Sequence, residues 1–157
     1  MLDKISKVMT SIIETFCGIV VVGQTVIIAV QIITRLLGIS LPWSEELARF
    51  FLIWLTFLGC SLAVKQDSHL SVDFFVKKAP KKVQLVIGLF VKFLMIVFFG
   101  ILLIYGMKLS ITAMATPSTS LQWPMGLIYM VLPISGIISI YYVVLNTFDF
   151  VKQNKEG

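Results

Sequence analysis

The residues best placed to do chemistry lie in one stretch, Trp43-Ser-Glu-Glu-Leu-Ala-Arg49, which opens a long apolar run. Glu45 and Arg49 are four residues apart and Glu46 and Arg49 three, so on a helix one guanidinium reaches both carboxylates. An arginine inside a hydrophobic run is costly unless it is paired or snorkels to water. Three roles suit such a cluster: an ion pair that fixes how the helix enters its surroundings, a contact with a second subunit, or a substrate site. A second polar patch, Lys65-Gln-Asp-Ser-His69, holds the chain's only histidine, a group suited to pH sensing or to a structural hydrogen bond near a helix end.

Other chemistry lacks its residues. A single His cannot form a bis-His haem site and leaves no second imidazole for a metal. Cys17 and Cys60 stand alone without CxxC spacing and read as small apolar residues inside helices. There is no P-loop, nucleophile elbow or HExxH. The expectation is a chain that is not an enzyme and carries no cofactor or metal of its own.

The elements that must position the Glu–Glu–Arg cluster follow from composition. The 157 residues are 58% hydrophobic and 13% charged, with a mean hydropathy of +0.98. A soluble domain of this size exposes too much surface to hide that apolar fraction, so lipid is the natural solvent. The net charge of +5 then reads as membrane topology and not as a footprint for nucleic acid. The pattern predicts an all-α integral membrane protein forming one domain, with four transmembrane helices at about 12–37, 43–64, 85–111 and 124–148, and an amphipathic interfacial segment between the second and third.

The first apolar run is too long for the roughly 7–15 residues of a signal-peptide core and has no A-x-A site after it, so it reads as a retained helix. Glu14, Cys17, Gln24, Gln31 and Arg35 fall on one helical stripe, which should face protein because amides facing lipid are costly. The short connector Gly38–Pro42 makes helices one and two antiparallel neighbours. Ser44 is a candidate N-cap, and the two carboxylates meet the positive end of the helix dipole. About 21 residues, roughly 31 Å, carry that helix across. Continuing the face of Arg49 gives Thr56, Gly59, Cys60 and Ala63, a strip of small residues that lets another helix approach closely.

Beyond His69, the run through Asp73, Lys77, Lys78, Lys81 and Lys82 mixes charge with Leu70, Val72, Phe74 and Phe75. It reads either as a segment lying on anionic lipid or as a solvated loop. Lys92 and Lys108 bracket the third span, each expected to snorkel outward; residues Val83–Val91 either extend that helix or lengthen a tilted span. The loop Thr112–Trp123 carries no charge, and Pro133 is expected to kink or unwind the fourth helix. Lys4, Lys7, Lys65, Lys77, Lys78, Lys81, Lys82, Lys152 and Lys155 share one side of this topology, against Arg35 and Lys108 near the other. The lysine-rich side belongs in the cytoplasm, with both termini, and Trp43 and Trp123 anchor the opposite interface.

Three function classes fit: a small self-contained transporter, an accessory subunit of a larger permease, or an assembly subunit of a membrane enzyme. A proton-coupled four-helix exporter needs a carboxylate deep in a span, and Glu14 is only just inside the first. The subunit readings suit the small-residue faces better. Trp43-Ser-Glu-Glu-Leu-Ala-Arg49, followed by Trp54, Gly59, Ala63, His69 and Val72-Asp73, resembles the small membrane subunit of tripartite ATP-independent periplasmic (TRAP) transporters. Trp123-Pro-Met-Gly-Leu-Ile-Tyr-Met-Val-Leu-Pro133 is similar to that family's fourth-helix opening, while Gln66-Asp67-Ser68 departs from the more basic or glycine-containing sequence expected before the histidine. The resemblance implies a bacterial inner-membrane importer in which a periplasmic binding protein delivers an organic acid, sialic acid or a C4-dicarboxylate first among them. A large membrane subunit would bind substrate and sodium and carry out symport. This chain would pack against its static scaffold, with Glu45, Glu46 and Arg49 orienting helix two and Lys77–Lys82 anchoring the scaffold on anionic lipid.

Overall fold

The computed structural model describes residues 2–66 and 81–156. They form α1 (Leu2–Leu36), α2 (Pro42–Lys65), α3 (Lys81–Ala113), α4 (Met125–Tyr129) and α5 (Val131–Glu156), with no strand among them. Four stretches are long and apolar enough to cross a membrane: Ser6–Leu36, Pro42–Lys65, Val86–Ala113 and Met125–Phe148, the last spanning α4 and α5. The structure therefore has the four-span, all-helical architecture expected. The proposed amphipathic segment, with His69, Asp73, Lys77 and Lys78, lies outside the described residues. Lys81 and Lys82 open α3, which runs unbroken through 83–91.

The fourth span is the centre of the molecule. In its most apolar stretch 44% of the residues are buried, against 6% in that of α1. Both α2 and α3 pack along α5, and α1 lies against α2 as its antiparallel neighbour. Without a hydrophobic drive between helices in lipid, close approach has to come from small residues and buried hydroxyls, and α4 and α5 supply them. A Cβ on Gly126 would lie 2.8 Å from the Met114 backbone nitrogen, and one on Gly106 would lie 2.7 Å from Leu132 Cβ, so neither position admits a side chain. Ser110 Oγ donates to the Gly126 carbonyl at 2.7 Å. Deeper in, Ser139 Oγ donates to Ser61 Oγ at 3.0 Å, and Ser61 shares its own proton between the carbonyls of Phe57 (3.1 Å) and Ser135 (3.2 Å). Thr10 Oγ1 gives its proton to the Ser6 carbonyl, so Tyr142 OH donates to it, at 2.9 Å, and ties α1 to α5.

Pro133 has the expected effect. It cannot bond to the Tyr129 carbonyl, and the helix breaks at Met130 between α4 and α5. Ser135 Oγ returns to the Leu132 carbonyl at 2.9 Å.

Two expectations are corrected. Ser44 is not the N-cap of α2: the helix starts earlier, with Pro42 in the first turn where its missing N–H is no loss, and Ser44 is buried with its hydroxyl on the Leu41 carbonyl at 2.7 Å. Lys92 does not snorkel outward. It is 6% exposed, its Nζ donates to the Asn146 carbonyl at 2.7 Å, and it sits 5.0 Å from the centre of the Phe150 ring. The carbonyl and the ring face supply in the interior what water would supply at the interface. Asn146 Nδ2 also donates to the Val64 carbonyl at 2.8 Å, closing the C-terminal end of α2. Lys108, at the other end of α3, is exposed.

Candidate subunit interface

The Glu–Glu–Arg cluster sits at the end of the bundle that carries the α1–α2 connector and the α3–α4 loop. Glu46 is engaged with that loop and not with Arg49. Its Oε1 accepts from the Thr119 N–H (3.0 Å) and hydroxyl (3.2 Å), and its Oε2 from the N–H groups of Ser120 (2.9 Å) and Leu121 (2.8 Å). Three successive backbone N–H groups form a nest for an anion, so the charge-free loop takes its anion from α2. The loop closes on itself as well: Ser118 N–H donates to Trp123 O (2.8 Å), Met125 N–H to Thr116 O (3.0 Å), and Gln122 adopts φ 56°. The sequence signal for this was an uncharged Ser/Thr-rich turn opposite a helix-opening carboxylate. The pattern of i,i+3 spacing pointed elsewhere.

Among the described residues Arg49 makes no ion pair with Glu45 or Glu46, and both Arg49 and Glu45 are exposed. Thr56, Cys60 and Ala63 are exposed on the same side of α2, and Gly59 is half-buried with nothing within 4 Å of where a Cβ would stand. The face that α2 turns inward is a different one: Phe50, Leu58, Ser61 and Val64. Thr56 satisfies its hydroxyl on its own helix, through the Leu52 carbonyl at 2.7 Å. The small-residue face is thus complete as helix but unpartnered among the described residues. Trp43 flanks its opening turn, 43% exposed.

Next to that face, α2 and α3 leave an apolar groove of about 420 Å³. Cys60, Ala63 and Val64 form one wall, and Leu94, Met95 and Phe98 contribute to the other. On α1, the polar stripe is split. Cys17, Gln24 and Gln31 are half-buried in register with buried Ile13 and Val20, whereas Glu14 and Arg35 are exposed. Glu14 is therefore not enclosed in a cavity, as an exporter's coupling carboxylate should be. The residues that reasoning from sequence missed are Asn146 and the serines 61 and 139; Ser135 was expected to serve backbone groups freed by Pro133, and its hydroxyl does bond a backbone carbonyl of that turn. The four-residue spacing of Ser135 and Ser139 is a small-xxx-small pattern that marks the fourth span as a packing helix. Among the described residues no three His, Cys, Asp or Glu side chains gather to hold a metal ion.

Comparison with known proteins identifies the family. Residues 24–153 match the family model for the DctQ component of tripartite ATP-independent periplasmic transporters. The chain is 26% identical over 156 residues to the sialic acid TRAP transporter small permease protein SiaQ of Vibrio cholerae, covering 96% of this chain and 88% of that one. It is 27% identical to the C4-dicarboxylate small permease protein DctQ of Rhodobacter capsulatus, over 81% of this chain and 57% of that protein. It is also 30% identical to the isethionate TRAP transporter permease protein DctMQ of Oleidesulfovibrio alaskensis, where 73% of this chain matches only 20% of a longer polypeptide. With four membrane-spanning helices and a family match over most of its length, the chain belongs to the DctQ component family of tripartite ATP-independent periplasmic transporters.

Proposed function

We propose that this multi-pass membrane protein packs through the outward face of α2 against a large permease polypeptide and forms part of the static scaffold for sodium-driven import of an organic acid. The observation that carries the reading is the DctMQ relative, in which the matched region is a fifth of one longer chain. A partner that is fused in one family member is a natural neighbour for an unpartnered face in another. Arg49, Thr56, Gly59, Cys60 and Ala63 with the adjoining groove are the surface of α2 left open for it, and Trp43, Glu45 and Glu46 fix the depth of that helix. Gln24 and Gln31, half-buried amides at membrane depth, line the neighbouring helix.

Substrate and sodium belong in this reading to the large subunit, which performs the symport. Delivery is by a periplasmic binding protein. The relatives' names cover sialic acid, C4-dicarboxylates and isethionate, all small organic anions, and a sialic acid or dicarboxylate substrate is the class to test first. The lysine count puts both termini in the cytoplasm of a bacterial inner membrane, with His69, Asp73 and Lys77–Lys82 along anionic lipid on that side. Arg49→Ala should lower co-purification of the large permease polypeptide while leaving this chain folded. Unchanged co-purification removes Arg49 from the interface.

A further inference from the structure

The α1–α2 connector frames a second polar feature around Arg35 and Ser40, two residues to which the subunit reading gives no role. The last turn of α1 ends with Ile39 N–H on the Thr34 carbonyl (2.9 Å), Gly38 N–H on the Arg35 carbonyl (3.1 Å) and Gly38 at φ 77°, the left-handed closure that glycine allows. This turn folds the chain back over a groove of about 220 Å³, lined by Gln31, Arg35, Ser40 and Glu45 with Ile39 and Leu41 among its walls. A guanidinium and a carboxylate line the same groove, yet among the described residues neither makes an ion pair. The space is below the roughly 300 Å³ at which pockets for drug-sized ligands begin.

Its position narrows the occupant. The groove lies where two spans meet at a membrane interface, and Leu36, Leu37 and Ile39 beside it are 83%, 70% and 53% exposed. Apolar side chains so exposed, at the last residue of a span and just beyond it, face the boundary between headgroups and acyl chains. We propose that this groove seats the headgroup of a membrane phospholipid bearing a phosphate and a primary ammonium, that is, phosphoethanolamine. Arg35 takes the phosphate through its planar fork, with Ser40 and the Gln31 amide as further donors. Glu45 takes the ammonium through its carboxylate. A choline headgroup has no N–H to give Glu45, and a glycerol headgroup has no cation. The proposal concerns this chain alone and does not depend on its assembly with a larger subunit.

The test is native mass spectrometry of the full chain, purified in mild detergent and offered equal amounts of phosphatidylethanolamine, phosphatidylcholine and phosphatidylglycerol with matched acyl chains. The ethanolamine lipid should be retained in clear preference to the other two. Arg35→Gln and Glu45→Gln, both at exposed positions, should each lower its retention roughly tenfold, the scale of one charge-assisted hydrogen bond. Lys108→Gln, which removes an exposed charge from another helix, should leave retention unchanged. Equal retention of the three lipids, wild-type retention in the Arg35 or Glu45 variants, or an equal loss in the Lys108 variant would each overturn the proposal. So would displacement of the lipid by soluble glycerophosphoethanolamine at equal concentration, since the acyl chains would then add nothing.

Discussion

Gly126 and Gly59 make a matched pair, because the same added methyl meets opposite surroundings. At Gly126 an alanine Cβ would stand 2.8 Å from the Met114 backbone nitrogen, a backbone atom in the turn just after α3 that cannot rotate away. Either α4 moves off α3 or the backbone strains, and overpacking of this kind costs about 1–3 kcal/mol. Moving α4 also pulls the Gly126 carbonyl away from Ser110 Oγ, now 2.7 Å distant, and a hydrogen bond of that type in a membrane protein contributes about 0.6 kcal/mol. A total of about 1.6–3.6 kcal/mol corresponds to a fall in Tm of roughly 3–14 °C for a chain of this length. At Gly59 nothing lies within 4 Å of the new methyl, so Gly59→Ala should melt at or above the wild-type temperature. The bulkier Gly59→Leu should also leave the isolated subunit intact but reduce its recovery with the large permease polypeptide. Thermal melting in detergent, followed by helical circular dichroism, reads the first effect, and affinity co-purification reads the second. A Gly126→Ala protein melting within about 2 °C of wild type would refute the packing argument. A Gly59→Ala protein destabilised as much as Gly126→Ala would show that the outward face of α2 is not open.

Other outcomes follow from named contacts. Ser61→Ala and Ser139→Ala should each lower stability by about 0.6 kcal/mol, and at most about 1.7. Because their hydroxyls bond to each other at 3.0 Å, the double variant should lose less than the sum, and additivity in thermal melts would contradict that bond. Glu46→Gln should speed amide hydrogen exchange at Thr119, Ser120 and Leu121, whereas Glu45→Gln should not, since only Glu46 accepts from that loop. Exchange rates unchanged in the Glu46 variant would remove its role as the loop's anchor. Replacing Lys77, Lys78, Lys81 and Lys82 together with Gln should weaken attachment to anionic bilayers by about 1 kcal/mol for each lysine near the surface. Unaltered complex stability and transport would remove these lysines from anchoring.

The sequence carried the spans well, because their signal is a sum over some twenty apolar residues and no single position can cancel it. The break ahead of Pro133 was equally legible, since proline has no N–H in any fold. Ionic partners were less so. The spacing of Glu46 and Arg49 permits a pair on the helix, but three backbone N–H groups from a loop more than seventy residues away, with a threonine hydroxyl, hold the carboxylate instead. Lys92 shows the same limit from the other side. A lysine near the end of a span usually reaches for water, and only the fold brings the Asn146 carbonyl and the Phe150 ring close enough to replace it. The small-residue strip on α2 was visible from its periodicity. That it stays open among the described residues, while the serines of α2 and α5 form the internal contact, depends on which helices the topology makes neighbours.

The most direct test of a scaffold role is sodium-driven uptake of an organic acid into proteoliposomes, measured with this chain alone, with the large permease polypeptide alone, and with both, each supplied with the binding protein. Uptake is expected only when both membrane polypeptides are present. Uptake by this chain without the large polypeptide would contradict a scaffold role.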